Sequence, residues 1–129
     1  MRIVASFEPF LEADLSAEAG DLRRLAAVVR LGRGELAPQV GDPAPYDHAL
    51  RAVVVRTSTD EVAAVEVDRE RSVLAFVGPP GALEVLASNI ETLAGDDVPA
   101  GHHVHLEWYP DHAWLAEGSF PLVVTRAEG

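Results

Sequence analysis

The chain has 129 residues and a mass of 13.8 kDa, the usual size of one domain, and its hydrophobic fraction of 48% is sufficient for a buried core. The formal net charge of −11 repels phosphate backbones and so disfavours direct binding to nucleic acid. The absence of cysteine excludes disulfides, thiol catalysis and thiolate metal sites, and it favours a reducing compartment. We therefore expect one acidic domain that spans residues 1–129.

The first residues do not form a secretion signal. Glu8, Glu12 and Asp14 interrupt the apolar stretch that a signal peptide requires. No apolar segment approaches the length of a membrane span. We therefore expect a cytoplasmic protein with no membrane partner.

The first two predicted elements are a strand and a helix. Alternation in residues 2–7 predicts a strand. Ser16 is typical of a helix N-cap and predicts a helix over residues 17–31 that ends at Gly32. The apolar stripe on this helix recurs at helical spacing and consists of Leu22, Leu25, Ala26 and Val29.

The middle of the chain predicts a loop followed by three strands. Residues 34–47 contain three prolines, which forbid a continuous helix or a central strand and favour a surface loop. The β-branched run in residues 51–57 predicts a buried strand. Residues 62–67 and 72–77 predict a hairpin over a polar turn, with Leu74 and Phe76 facing the core.

The second predicted helix spans residues 81–94, and strands at 102–109 and 120–126 follow it. The helix has an apolar stripe at i, i+3, i+4 and i+7 spacing that includes Leu86 and Ile90. The predicted order is therefore β-α-β-β-β-α-β-β. We expect an α+β fold with a single, mostly antiparallel sheet and two helices on one of its faces.

A His-x-His-x-Glu pattern is the first candidate for chemistry. His103, His105 and Glu107 share one face of a strand because side chains alternate, and imidazole and carboxylate are good ligands for zinc or iron. His112 or Asp111 could add a ligand, but the only remote histidine is His48. The alternative is that these side chains form the solvated face of a sheet. Because no closed ligand set is evident, we expect no metal and no cofactor.

Other routes to catalysis lack support in the sequence. No serine lies in a nucleophile elbow, and no glycine-rich phosphate loop occurs. Trp108, Tyr109 and Trp114 cluster before the last strand, where corner packing is the ordinary role of aromatic residues. An exposed aromatic residue at this position would instead be a candidate anchor for a protein partner. We therefore assign no catalytic residue.

Residues 101–124 read GHHVHLEWYPDHAWLAEGSFPLVV and contain a His-x-His-x-Glu strand, an aromatic-Pro turn, a Leu-Ala step and a Ser-x-Pro-Leu entry into the last strand. This block resembles the immunity protein 32 family of bacterial polymorphic toxin systems. The hairpin and helix in residues 62–93 also resemble that family, whereas residues 1–50 add nothing to the resemblance. The resemblance implies a small cytoplasmic protein that binds and neutralises a cognate toxin, often a nuclease.

The resemblance also suggests which residues contact the toxin. Candidate contacts are the polar and aromatic positions of the block, namely His103, His105, Glu107, Asp111, His112, Trp114 and Glu117. The motif positions Pro110, Ser119 and Pro121 are either structural or in contact with the toxin. An acidic inhibitor would be steered to the basic surface of a nuclease. The alternatives are a small metal-dependent enzyme and a non-enzymatic structural or regulatory module, and the oligomeric state stays open.

Overall fold

The computed structural model describes residues 1–129 and contains nine β-strands and two α-helices. The strands are β1 (Arg2–Ser6), β2 (Glu12–Ala17), β3 (Arg33–Leu36), β4 (His48–Ala49), β5 (Ala52–Thr57), β6 (Ala64–Asp68), β7 (Val73–Gly78), β8 (His103–Leu106) and β9 (Leu122–Arg126). The helices are α1 (Ala19–Leu31) and α2 (Pro80–Glu91), and a 3₁₀ turn (Thr92–Ala94) continues α2.

The strands form two mixed sheets, so the prediction of a single sheet was wrong, while the α+β class with two helices is confirmed. Sheet A has the order β4-β1-β2-β9-β8, and sheet B has the order β3-β5-β7-β6. β2 pairs with β9 in parallel and β5 pairs with β7 in parallel, whereas the other pairs are antiparallel. Local periodicity indicates which segments are extended, but the pairing of strands distant in sequence decides the number of sheets.

The first correction concerns Ser16, which lies in β2 and caps no helix. β2 forms a hairpin with β1, and its Ala13, Leu15 and Ala17 are buried while the residues between them face outward. Ser16 instead donates a hydrogen bond of 2.8 Å to Asp14 Oδ1. The alternation of buried and outward-facing residues therefore makes this segment a strand, although Ser16 is a typical N-cap residue. α1 begins after Glu18, whose side chain makes no capping hydrogen bond.

Element boundaries differ from the prediction in three further places. The predicted loop at 34–47 begins inside β3, and the short β4 follows it. β8 ends at Leu106 rather than at 109, because the chain turns away before Pro110. β9 begins at Leu122, after Pro121, rather than at 120. The predicted strand at 51–57 and the hairpin of β6 and β7 are confirmed, with Leu74 and Phe76 fully buried.

Both helices match their predicted apolar stripes and pack against each other. Leu22 and Val29 of α1 and Leu86 and Ile90 of α2 are fully buried. Gly32 ends α1 in the left-handed conformation with φ 81°, as predicted, and the side chain of Thr57 fills the space that a Cβ would need. Neither helix has the length and apolar composition needed to cross a membrane.

One hydrophobic cluster of 28 buried residues joins both sheets to both helices. No polar or charged side chain is fully buried. Two arginines fasten the 3₁₀ turn to its neighbours: Arg126 of β9 donates to the carbonyl oxygens of Leu93 and Gly95, and Arg23 of α1 donates to Ala94. Cations at carbonyl ends of helical segments are stabilising, so these bonds hold α2 against sheet A.

Replacing Leu86 by alanine should lower the free energy of unfolding by about 2–5 kcal/mol, because the substitution removes a buried side chain and leaves a cavity. Chemical denaturation measures this change. Val85→Ala is the matched control, since Val85 lies beside Leu86 but is 38% exposed. Equal effects of the two substitutions would contradict the assigned core face of α2.

Candidate interaction surface

The face of sheet A that points away from the core is polar. Its side chains alternate with the buried ones along three adjacent strands, and the strand registers align them in rows across the sheet. One row joins Asp14, Val123 and His105, and the next joins Ser16, Thr125 and His103. We refer to this side as the outer face of sheet A; its members on the three strands are Glu12, Asp14, Ser16, His103, His105, Val123 and Thr125.

The two histidines of β8 are exposed on this face. The ring centroids of His103 and His105 are 5.0 Å apart in an edge-to-face arrangement, and Glu107 is exposed just beyond the end of β8. Leu106 is buried and Val104 is half-buried on the opposite side of the strand. The alternation predicted from the sequence is therefore present in the structure.

The histidine pattern does not form a ligand cage. No group of three or more histidine, aspartate or glutamate side chains is arranged to hold a metal ion. His48, the remote candidate, lies in β4 at the other edge of sheet A, where its ring packs edge-on against Phe7 at 5.1 Å. The geometry therefore gives the metal-enzyme alternative no support.

The segment after β8 begins with a tight turn that His112 stabilises. The N–H of His112 donates to the carbonyl oxygen of Tyr109, and Asp111 has a positive φ of 69°. Pro110 at the second position and a positive φ at the third are typical of a type II turn. His112 Nδ1 accepts hydrogen bonds from the N–H groups of Trp114 at 3.3 Å and Leu115 at 3.0 Å. His112 therefore has a structural role.

Residues 113–120 then run along the edge of β6. The carbonyl oxygen of Trp114 accepts from Ala63, and Ser119 Oγ accepts from the N–H of Val65 at 3.2 Å. Ala63 also forms a parallel bridge with Leu115, which is buried. This segment, which connects β8 and β9 of sheet A, therefore covers the start of the free edge of sheet B and binds the two sheets together there.

The aromatic residues of this segment differ in exposure. Trp108 and Trp114 are half-buried and pack against the core, as corner packing predicted. Tyr109 is 59% exposed, with its ring 4.5 Å from that of His112. Tyr109 is therefore the aromatic residue here that a partner can reach.

A groove of about 560 Å³ lies beside the histidines on the outer face of sheet A. Phe10 and Leu11 of the β1–β2 turn form one wall and are 79% and 52% exposed. His105 and Glu107 line it from the β8 side, and Glu12 also contributes a carboxylate. No lysine or arginine lines the groove.

The charges around the groove are not neutralised by neighbours. Glu12 and Glu107, which line the groove, and Asp14, next to Glu12 on the outer face, take part in no ion pair. Close to Glu12 and Asp14 on this same face, burial raises the pKa of Tyr46, and these two carboxylates raise it further. This face of the protein is therefore rich in unpaired negative charge.

The structure separates the seven predicted contact residues into two groups. Exposed positions are His103, His105, Glu107, Asp111 and Glu117. His112 and Trp114 are half-buried and hold the connecting segment. The sequence analysis missed Phe10 and Leu11, although two adjacent apolar residues after Pro9, in a turn between two alternating segments, were a usable signal.

The structure is that of a small α+β protein in which the outer face of sheet A carries carboxylates and borders exposed apolar residues. Residues 73–127 match the family model of Immunity protein 32, which confirms the resemblance seen in the sequence. The match covers β7, α2, β8 and β9 and less than half of the chain. Comparisons with curated proteins and with solved structures find no match for the chain.

Replacing His112 by alanine should destabilise the protein by about 1–3 kcal/mol, because two main-chain N–H groups lose their acceptor. Thermal or chemical denaturation measures the loss. His105→Ala should change stability by less than about 0.5 kcal/mol, since His105 is exposed. His112→Asn should recover part of the loss by supplying an acceptor, and equal stability of all the variants would refute the structural role of His112.

Purified protein should contain no stoichiometric zinc or iron. The reason is that His103 and His105 have no third ligand within reach. Elemental analysis of protein prepared without chelators provides the measurement. One equivalent of metal that is lost on His105→Ala would overturn this prediction and revive the enzyme alternative.

Proposed function

We propose that this protein is an immunity protein that binds a cognate bacterial toxin in the cytoplasm and blocks its activity. The observation that carries the proposal is the match of residues 73–127 to the Immunity protein 32 model. Inhibition by occlusion requires no catalytic group in the inhibitor. A chain without fully buried polar side chains or a metal-ligand cluster is compatible with that role.

The binding surface in this proposal is the outer face of sheet A together with the turn after β8. Exposed apolar groups at Phe10 and Tyr109 provide anchors, and the carboxylates of Glu12, Glu107 and Asp111 surround them. Interfaces commonly combine a few aromatic anchors with a polar rim. Three side chains of the sequence motif are exposed on this surface, which supports their assignment to the interface: His103, His105 and Glu107.

Charge favours a basic toxin, and a nuclease is the class that fits best. Nucleases need cationic surfaces to hold phosphates, and such surfaces attract an inhibitor of net charge −11. The inhibitor would then compete with the nucleic acid for the same basic surface without binding nucleic acid itself. Membrane association has no part in this mechanism.

Co-expression with the toxin encoded beside this gene tests the proposal. Wild-type protein should restore growth and should bind the purified toxin domain with an association rate that falls steeply with salt, because the Debye length shrinks from about 30 Å at 0.01 M to about 8 Å at 0.15 M. Toxin lethality that persists, combined with no measurable binding, would refute the proposal.

Charge reversal locates the surface. Asp111→Lys and Glu117→Lys should lower the association rate more than they raise the dissociation rate, because both carboxylates are exposed and unpaired. Glu35→Lys is the matched control, since it makes the same charge change on β3 of sheet B. An equal effect of the control would show that net charge alone, and not this surface, drives the encounter.

A further inference from the structure

β8 is an edge strand with unused main-chain hydrogen-bonding groups. It pairs only with β9, and the N–H of Arg126 donates to the carbonyl oxygen of His102 at 2.8 Å. Main-chain groups alternate in direction along an antiparallel strand, so those of His103 and His105 point away from β9. No hydrogen bond within the chain uses them.

The other sheet edges are protected against pairing, whereas β8 is not. The segment at 113–120 covers the start of β6 through Ala63 and Val65, and β4 has only two residues. β3 carries the charged Arg33 and Glu35, with Gly34 between them at φ 139°. Charges, distortion, short length and covering are the usual means of blocking an edge. β8 has only four residues, like β3, but it contains no Arg, Lys, Asp or Glu and no glycine, and no other segment pairs with its open side.

The groove lies on the inner side of this open edge, over β9 and beside the β1–β2 turn, and His105 and Glu107 form its rim on the β8 side. The exposed carboxylate of Glu107 at this rim suits a cationic head group. A strand added to β8 would lie about 4.8 Å away, with alternate side chains on the outer face. A long side chain opposite His105 would then reach Glu107, whereas Glu12 on β2 is three strand spacings, about 14 Å, from the added strand.

We propose that β8 binds an extended, basic segment of the toxin, which adds a strand to sheet A through the main chain of His103 and His105 and places an arginine or lysine beside Glu107. This inference rests on the proposed function and specifies the part of the toxin that is recognised. Pairing between two copies of this chain is disfavoured, because each copy has net charge −11 and presents carboxylates beside the edge.

Amide hydrogen exchange of the complex tests the pairing directly. The probe is the toxin domain encoded beside this gene, made inactive by substitution of its catalytic residue. The amides of His103 and His105 should exchange at least about tenfold more slowly when the toxin is bound, as paired edge amides do. Unchanged exchange at both amides in a complex that forms normally would reject the pairing and leave the proposed function intact.

Proline substitution distinguishes the contribution of the main chain of His105 to binding from that of its side chain. His105→Pro removes an outward N–H that β9 does not use, whereas His105→Ala retains it. His105→Pro should weaken binding about tenfold or more relative to His105→Ala. Circular dichroism and melting temperature establish whether the proline variant is folded; if it is not, the exchange measurement on the wild-type complex decides.

Carboxylate removal tests the basic side chain. Glu107→Gln should weaken binding several-fold and reduce its dependence on salt, while Glu35→Gln should do neither. Equal affinities of the two variants would reject a basic side chain beside Glu107.

The oligomeric state and the affinity of the wild-type chain complete the test. No binding of the toxin domain by the wild-type chain would reject the proposed function and this inference together. A free chain that is dimeric and becomes monomeric on His105→Pro would show that β8 pairs with a second copy, which would overturn the assignment to the toxin.

Discussion

The parallel pairing of β2 with β9 is the interaction on which the rest of sheet A depends. Ala13 to Ala17 lie in register with Leu122 to Arg126, and this ladder joins the N-terminal hairpin to the hairpin of β8 and β9. The side chain of Asp14 accepts a hydrogen bond from Thr125, a residue 111 positions away. Without this ladder, β8 and β9 would be an isolated two-stranded hairpin, which is marginally stable in water.

The residues that match the family model do not form a separate unit of the fold. Residues 73–127 contain the recognisable motif, but β7 pairs with β5 and β9 pairs with β2, both of which lie outside the match. The groove likewise combines Glu107 from the matched part with Phe10 and Glu12 from the unmatched part. The part of the chain that matches the family model therefore forms one side of the proposed binding surface, and the N-terminal hairpin forms the other.

The elements that the sequence predicted well are those whose signals are local. The apolar stripe of α2 and the hairpin of β6 and β7 extend over a few consecutive turns or residues, and both are present as expected. β2 was missed because Ser16 and Glu18 imitate the start of a helix, whereas the burial of Ala13 and Leu15 depends on contacts with distant strands. The split into two sheets depends on the same long-range pairings.

In the candidate site, too, the features with local sequence signals were predicted and those that depend on distant strand pairing were not. The common face of His103 and His105 follows from the alternation of one strand, so the sequence predicted it. The groove did not follow, because its wall at Phe10 and Leu11 becomes adjacent to Glu107 only when β2 and β9 pair. His112 and Trp114 were grouped with the candidate toxin contacts because proximity in the sequence carries no information about which side chains bond to the turn itself.

The two walls of the groove, at Phe10 and at Glu107, are far apart in the sequence. Recognition by this groove is therefore thermodynamically linked to folding. Bringing such segments together costs loop-closure entropy that local contacts do not offset. If the ladder between β2 and β9 opens, the groove no longer exists, so the binding of a ligand there is abolished and not merely weakened. Any ligand of this surface therefore binds the folded state alone, and its binding free energy adds to the stability of the sheet that holds the groove together.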